Sequence, residues 1–299
     1  MIPMQVIKDM EYGGERPLYA ARDLYIENVT VHAGESALKE TANIEAVRCV
    51  FEGKYPFWET RKFKISECLF REGARAALWY SRGLVMEDTL VEAPKMFREM
   101  EDLSLTRVRI PHAAETLWRC RKIRMRDVTV AEGDYFGMSS SDIDIDGYTH
   151  QGNYAFQFAR DIVIRHADID AKDAFWQTEN VTVIDSRISG EYLGWYSKNL
   201  RLVNCRIAGT QPLCYADGLV LENCVLEPDA DLAFEYSDVR AGILSPVTSV
   251  KNPRSGQIIA QSYGEVIRDG NAKLPDDCDI FTWNDTDTDL ARPEDPVEA

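Results

Sequence analysis

The chain is predicted to be all-β, a single-stranded right-handed parallel β-helix of about eleven regular coils, on three observations. A nine-residue phrase recurs every 19 to 21 residues along most of its 299 residues. Apolar and polar residues alternate within the phrase, the mark of a strand with one buried face. Each phrase is followed by a closing segment of related sequence, "YPFWETR", "AALWYSR", "ETLWRCR", "DAFWQTE" or "LGWYSK". Three short strands in such a unit cannot bury an apolar face alone, so each unit must stack on the next. The period is too short for helical repeats of 33 to 47 residues, and neither a leucine-rich consensus nor a strict five-residue period is present.

The phrases begin at Asp23 (DLYIENVTV), Asn43 (NIEAVRCVF), Lys62 (KFKISECLF), Gly83 (GLVMEDTLV), Asp102 (DLSLTRVRI) and Lys122 (KIRMRDVTV). They continue at Asp142 (DIDIDGYTH), Asp161 (DIVIRHADI), Asn180, Asn199 and Gly218. Positions two and four are apolar (Leu24 and Ile26, Leu103 and Leu105) and form the first strand. The apolar ninth position (Val31, Phe51, Ile110, Ile188) belongs to a second strand beyond a polar bend. Asn28, Asp88, Asp127, Asp185, Asn204 and Asn223 at position six suit that bend, because such side chains bond to nearby backbone. Cys49, Cys68, Cys205 and Cys224 share position seven, where a small residue in an interior row is expected in preference to a metal ligand.

The ends are expected to differ from the coils. Residues 1–22 read as an N-terminal cap and partial coil, 23–238 as regular coils, and 239–269 as irregular coils. Residues 270–299 read as an acidic tail, pinned on the last coil by Phe281 and Trp283. Seven cysteines with no apolar run of a signal peptide suggest reduced thiols and, by default, the cytoplasm. A net charge of −16 argues against nucleic acid and anionic membrane surfaces as partners. It also argues against a polyanionic substrate unless a metal ion or a local basic patch intervenes.

Equivalent positions of successive coils lie above one another, so chemistry is sought in columns. Trp58, Trp79, Trp118, Trp176 and Trp195 all fall four residues before the next phrase, and Tyr80, Tyr196, Tyr215 and Tyr236 follow one position later. Such a row suits stacking on sugar rings, a subunit interface, or a secondary core under a loop or the tail. Eight residues before the phrases runs a charged column that includes Lys172 and Glu191, with Asp173 and Tyr192 beside it. Its bland reading is structural ion pairing. Its functional reading is that Asp173 and Glu191, beside Lys172 and Tyr192, serve as acid and base for a sugar held on Trp176, Trp195 and Tyr196. Asp142, Asp144 and Asp146 alternate along one strand, a solvated face or a weak candidate for Ca²⁺. Apart from that ion no cofactor is expected. His150 stands where other phrases carry an apolar residue and is expected to be a hydrogen-bonded core histidine.

The stretches "YPFW", "AALWY", "DAFWQT", "GEYLGWYSKNL", "GTQPLCY", "LAFEYSD" and "SVKNPRSG" resemble domain-of-unknown-function family 3737 over nearly all of residues 10–269. The resemblance implies a pectate-lyase-like β-helix of bacterial origin, and no activity. Three functions are therefore carried forward: a carbohydrate-processing protein, a sugar-binding module, and a structural protein whose aromatic strip joins copies of itself or a partner.

Overall fold

The computed structural model describes residues 3–270 and 277–285. The chain divides into two compact units, Met1–Ile162 and Val163–Ala299, with the strand Arg160–Asp170 carrying the boundary. Each unit is a parallel β-solenoid, as the repeat predicts. Among the described residues the only helical element is one 3-10 turn, Glu72–Ala74, so no described helix is long and apolar enough to cross a membrane.

In the first unit, the first strands of successive coils pair in parallel with side chains in line. One interior row runs Leu24, Ile44, Phe63, Leu84, Leu103, Ile123 and Ile143. Phenylalanines fill the space between rows, with Phe51 stacked on Phe70 at 4.8 Å and Phe57 on Phe63 at 5.6 Å. In the second unit a matching row runs Val183, Leu202, Leu221, Ala241, Ile258 and Ile280. Every one of these side chains is buried or nearly so, which is what the alternation in the phrase encodes.

The polar ends of the phrase make the corners. Asp23, Asn43, Lys62, Asp102, Lys122 and Asp142 open their phrases at φ between 52° and 59°, and Gly83 does so at 71°. Position six repeats the conformation, from 48° at Asp88 to 54° at Asn28. Left-handed backbone is easiest for glycine, asparagine and aspartate, which accounts for their recurrence there. Their side chains also bond between coils: Asn43 Nδ2 donates to Asp23 Oδ1 (2.6 Å), Asn199 to Asn180 (3.0 Å) and Asn204 to Asp185 (2.8 Å).

Inside another corner, buried hydroxyls satisfy backbone groups that the turn leaves unpaired. Thr41 Oγ1 meets Thr60 Oγ1 at 2.9 Å, the Thr60 N–H donates to Ser81 Oγ, and Ser81 donates to the Phe57 carbonyl. Cys120 takes a place in the same row. All seven cysteines are free and buried, and burial pushes the Cys120 and Cys214 thiols up to about 12. All seven pack in the interior, nearly out of contact with solvent.

A column of small residues lets coils approach closely. A Cβ on Gly34 would stand 2.1 Å from the Gly14 carbonyl oxygen, and one on Gly190 2.2 Å from that of Ala171. On the outside, one column of the first unit alternates charge: His32 lies 3.2 Å from both Glu11 and Glu52, Arg71 bonds Glu92, and His112 bonds Glu132 at 2.7 Å. These carboxylates hold both histidines above the ordinary imidazole range.

The ends are more regular than expected, and the units together make about 14 turns. Residues expected as a cap form a full coil, with Gln5–Lys8 paired to Arg22–Glu27 and Glu11–Glu15 to Thr30–Glu35. This phrase is hidden because Gln5 occupies the position that Leu24 fills in the next coil, and Val6 points outward, 58% exposed. At the other end Asp238–Ile243, Ser255–Ala260 and Asp277–Thr282 continue the stack, while Pro246–Lys251 and Ser262–Ile267 form a separate parallel pair. Part of the expected tail is thus a strand, and Trp283 fastens it by donating its indole N–H to the Ile243 carbonyl at 2.7 Å. Residues 286–299 of that tail lie outside the described residues.

His150 occupies the row of Val128–Val130 neighbours and is 1% exposed. Its Nδ1 lies 2.9 Å from the Tyr148 hydroxyl, and its Nε2 has no partner among the described residues. Burial lowers its pKa to about 4. It is a neutral core side chain, as expected.

Candidate functional site

The tryptophan column exists, and it is neither open nor hidden under the described part of the tail. All five residues are half-buried. In the first unit Trp58 stacks on Trp79 at 5.2 Å, and the Arg98 guanidinium sits 4.3 Å from the Trp79 ring and 4.6 Å from that of Trp118. Lys39 covers Trp58 at 6.0 Å. The indole N–H groups reach to the next coil: Trp79 donates to the Lys95 carbonyl, Trp118 to that of Tyr135, and Trp195 to that of Gln211. Ring faces and polar edges therefore bind coil to coil. The Trp176 indole nitrogen, buried in the second unit, has no partner among the described residues.

The residue after each tryptophan faces water. Tyr80 is 44% exposed, set edge-on to Trp58 at 5.3 Å, and Tyr196 is 43% exposed. Tyr196 stacks on Tyr215 at 4.7 Å, and Tyr215 leans on Tyr236 at 5.2 Å, so three tyrosines form a short strip in the second unit. Two grooves of the first unit meet at Tyr80. The larger, of about 680 Å³, is lined by Arg22, Glu40, Glu59, Arg61 and Tyr80; the smaller, of about 330 Å³, by Arg82, Glu99, Glu101, Arg119, Arg121 and the other side of Tyr80. These grooves were not found by reading the sequence. The signal was an arginine immediately before the phrase, at Arg22, Arg61, Arg82, Arg121 and Arg160, a fourth column beside the three considered.

In the second unit the acid–base candidates do come together. Lys172 Nζ lies 3.5 Å from Glu191 and 5.1 Å over the Tyr192 ring, and Tyr192 packs on Trp195 at 4.9 Å. The Asp173 N–H donates to the Glu191 carbonyl at 2.8 Å, fixing the two residues on adjacent rungs. The Asp173 side chain is only 5% exposed, and burial raises its pKa against the opposing pull of Lys172. Glu191 is exposed. Two carboxyl groups in unlike surroundings can divide the roles of proton donor and acceptor.

The aspartates of coil seven do not share one environment. All three lie on the outward side of the strand Ser141–Gln151, but Asp142 is in the left-handed corner (φ 55°), unlike Asp144 and Asp146. Facing them in register are Arg124 and Arg126, and Arg126 pairs with Asp144 at 3.2 Å. Among the described residues no group of three His, Cys, Asp or Glu converges in a way that could hold a metal ion.

Fold and surface together define a parallel β-solenoid whose outer wall is ordered in columns of aromatic and charged residues. The chain belongs to the family described as "Protein of unknown function (DUF3737)", whose model matches residues 5–281. No curated protein matches it. Among solved structures it is similar to the A-module of the mannuronan C-5 epimerase AlgE4 of Azotobacter vinelandii, at 10% identity over 93% of this chain and 87% of that one, with a TM-score of 0.35. It is also similar to the periplasmic alginate epimerase AlgG, at 9% identity over 87% and 76%, with a TM-score of 0.34. A third likeness is to the tailspike protein gp49 from Pseudomonas phage LKA1, at 11% identity over 87% and 49%, with a TM-score of 0.27. At these scores the likenesses carry nothing over to this chain.

Proposed function

We propose that this protein binds a saccharide on its outer wall, with Tyr80 and Tyr196 as the stacking platforms. The observation that supports this most is the exposure of those two rings, one between two grooves and the other at the head of a tyrosine strip. An aromatic face backed by a rigid row of tryptophans is preorganised, so little entropy is lost when a sugar ring settles on it. Charged side chains along the grooves supply donors and acceptors for hydroxyl groups. The platform thus shifts from the tryptophans to the residue that follows them.

The test is a calorimetric titration against a panel of neutral and acidic oligosaccharides. Tyr80→Ala or Tyr196→Ala is expected to weaken a ligand found in the panel by roughly tenfold, the worth of one stacking contact of about 1–1.5 kcal/mol. A panel with no ligand, or a ligand indifferent to both changes, would sink the proposal.

A second reading, turnover, is supported by the unlike carboxyl groups of Asp173 and Glu191. In it Asp173 donates a proton to the leaving oxygen while Glu191, oriented by Lys172, accepts one from water or sugar. Asp173→Asn is then expected to remove product formation and leave ligand affinity within about twofold. Unchanged turnover in that variant would leave binding alone.

A further inference from the structure

We propose that the wall at Tyr80 takes a carboxylated saccharide, with Arg61 of the larger groove and Arg82 of the smaller receiving its carboxylate groups. This rests on the saccharide reading above and adds the chemical class of the ligand. Elsewhere on the wall of this unit, several arginines are paired across the coils: Arg48 with Glu27, Arg71 with Glu92, Arg107 with Asp88, and Arg121 with Glu101. Arg61 and Arg82, like Arg75 and Arg109, are not so paired among the described residues. Arg61 and Arg82 are both exposed, they sit opposite each other in register on adjacent rungs, and neither has an ion pair or side-chain hydrogen bond among the described residues.

The rest of the larger groove fits the sugar that would carry those carboxylates. Glu40 is already engaged, accepting from the Tyr19 hydroxyl at 2.8 Å, and Arg22 is anchored on the Glu40 carbonyl. Glu59 has no such partner among the described residues and is left as an acceptor for sugar hydroxyls. Tyr80 closes the far end with an open ring face. Arg61 and Arg82 stand on adjacent rungs about 4.8 Å apart, so both guanidinium groups can reach a carboxylate of a sugar bound at Tyr80. Guanidinium is suited to this, because its planar fork takes a carboxylate through two parallel hydrogen bonds.

The experiment compares two trimers of the same linkage, β-1,4-linked glucuronate and β-1,4-linked glucose, by calorimetry on the full chain at low salt. The glucuronate trimer is expected to bind at least roughly tenfold more tightly, and the double variant Arg61→Gln, Arg82→Gln to bring the two affinities within about twofold of each other. Added salt is expected to weaken only the glucuronate trimer. Because both side chains are exposed, the variant should fold, and its circular dichroism spectrum checks that it does. Equal affinity for the two trimers, or a preference that survives the double change, overturns the assignment of charge and leaves the saccharide reading standing. If neither trimer binds, this inference falls; if the wider panel is silent too, the reading beneath it falls as well.

Discussion

Gly190→Ala is expected to destabilise the second unit by roughly 2–6 kcal/mol in all. The residue stands at φ 135°, where side-chain-bearing residues are rarely found, and its Cβ would press on the Ala171 carbonyl at 2.2 Å. The backbone cost is roughly 1–3 kcal/mol, and relieving the overlap costs about as much again. Neither neighbour can yield, because the oxygen and the atoms behind it are backbone of the preceding coil. The check is the urea midpoint of the variant beside that of Gly270→Ala, where nothing lies within 4 Å of the new Cβ. Equal midpoints would mean that the coils separate more easily than the glycine column implies.

Acid should weaken the first unit through His150. Its imidazole is ordinarily half-protonated at 6.5, but in the folded chain only at about 4. Above pH 6.5 both folded and unfolded forms are neutral there, and the unit has its full stability. Between 6.5 and 4 the unfolded chain takes up a proton that the folded one refuses, so stability falls, by about 3 kcal/mol in all. His150→Gln, which keeps an acceptor for the Tyr148 hydroxyl but does not titrate, is expected to flatten that part of the profile. Denaturation at pH 7 and at pH 4.5 in both proteins measures it. Parallel losses in the two would assign the acid sensitivity to surface carboxylates.

The solenoid was legible because its cause is periodic. A buried face at every second residue and a left-handed corner at fixed places leave Leu24, Ile44 and Phe63 in line, and put Asp, Asn or Gly at most corners. The N-terminal coil is hard to read because Gln5 and Val6, both exposed, break the alternation. Asp277–Thr282 was taken for tail because its surroundings are acidic and aperiodic, whereas strand pairing needs only backbone. The site was less legible for a different reason. Spacing gives the column in which Trp58, Trp79 and Trp118 stand, but not the side on which each ring lies. Their stacking on one another and on Arg98, and the hand-over of exposure to Tyr80, depend on side-chain torsions that leave no trace in the period. The groove needs one residue from each of several coils, and each of those residues looks ordinary alone.

Most hydrogen bonds between coils join residues about one coil apart, as do Tyr19–Glu40 and Asn204–Asp185. For an all-β chain that is an unusually short reach. The relative contact order is roughly 0.07, in the range of helical bundles, where loop closure costs little and folding is fast. A coil formed anywhere can template the next for the entropy of ordering one further turn. Hydrogen exchange should then be slowest in the middle of each unit's stack and quicken toward its free ends, as growth and fraying both proceed one rung at a time.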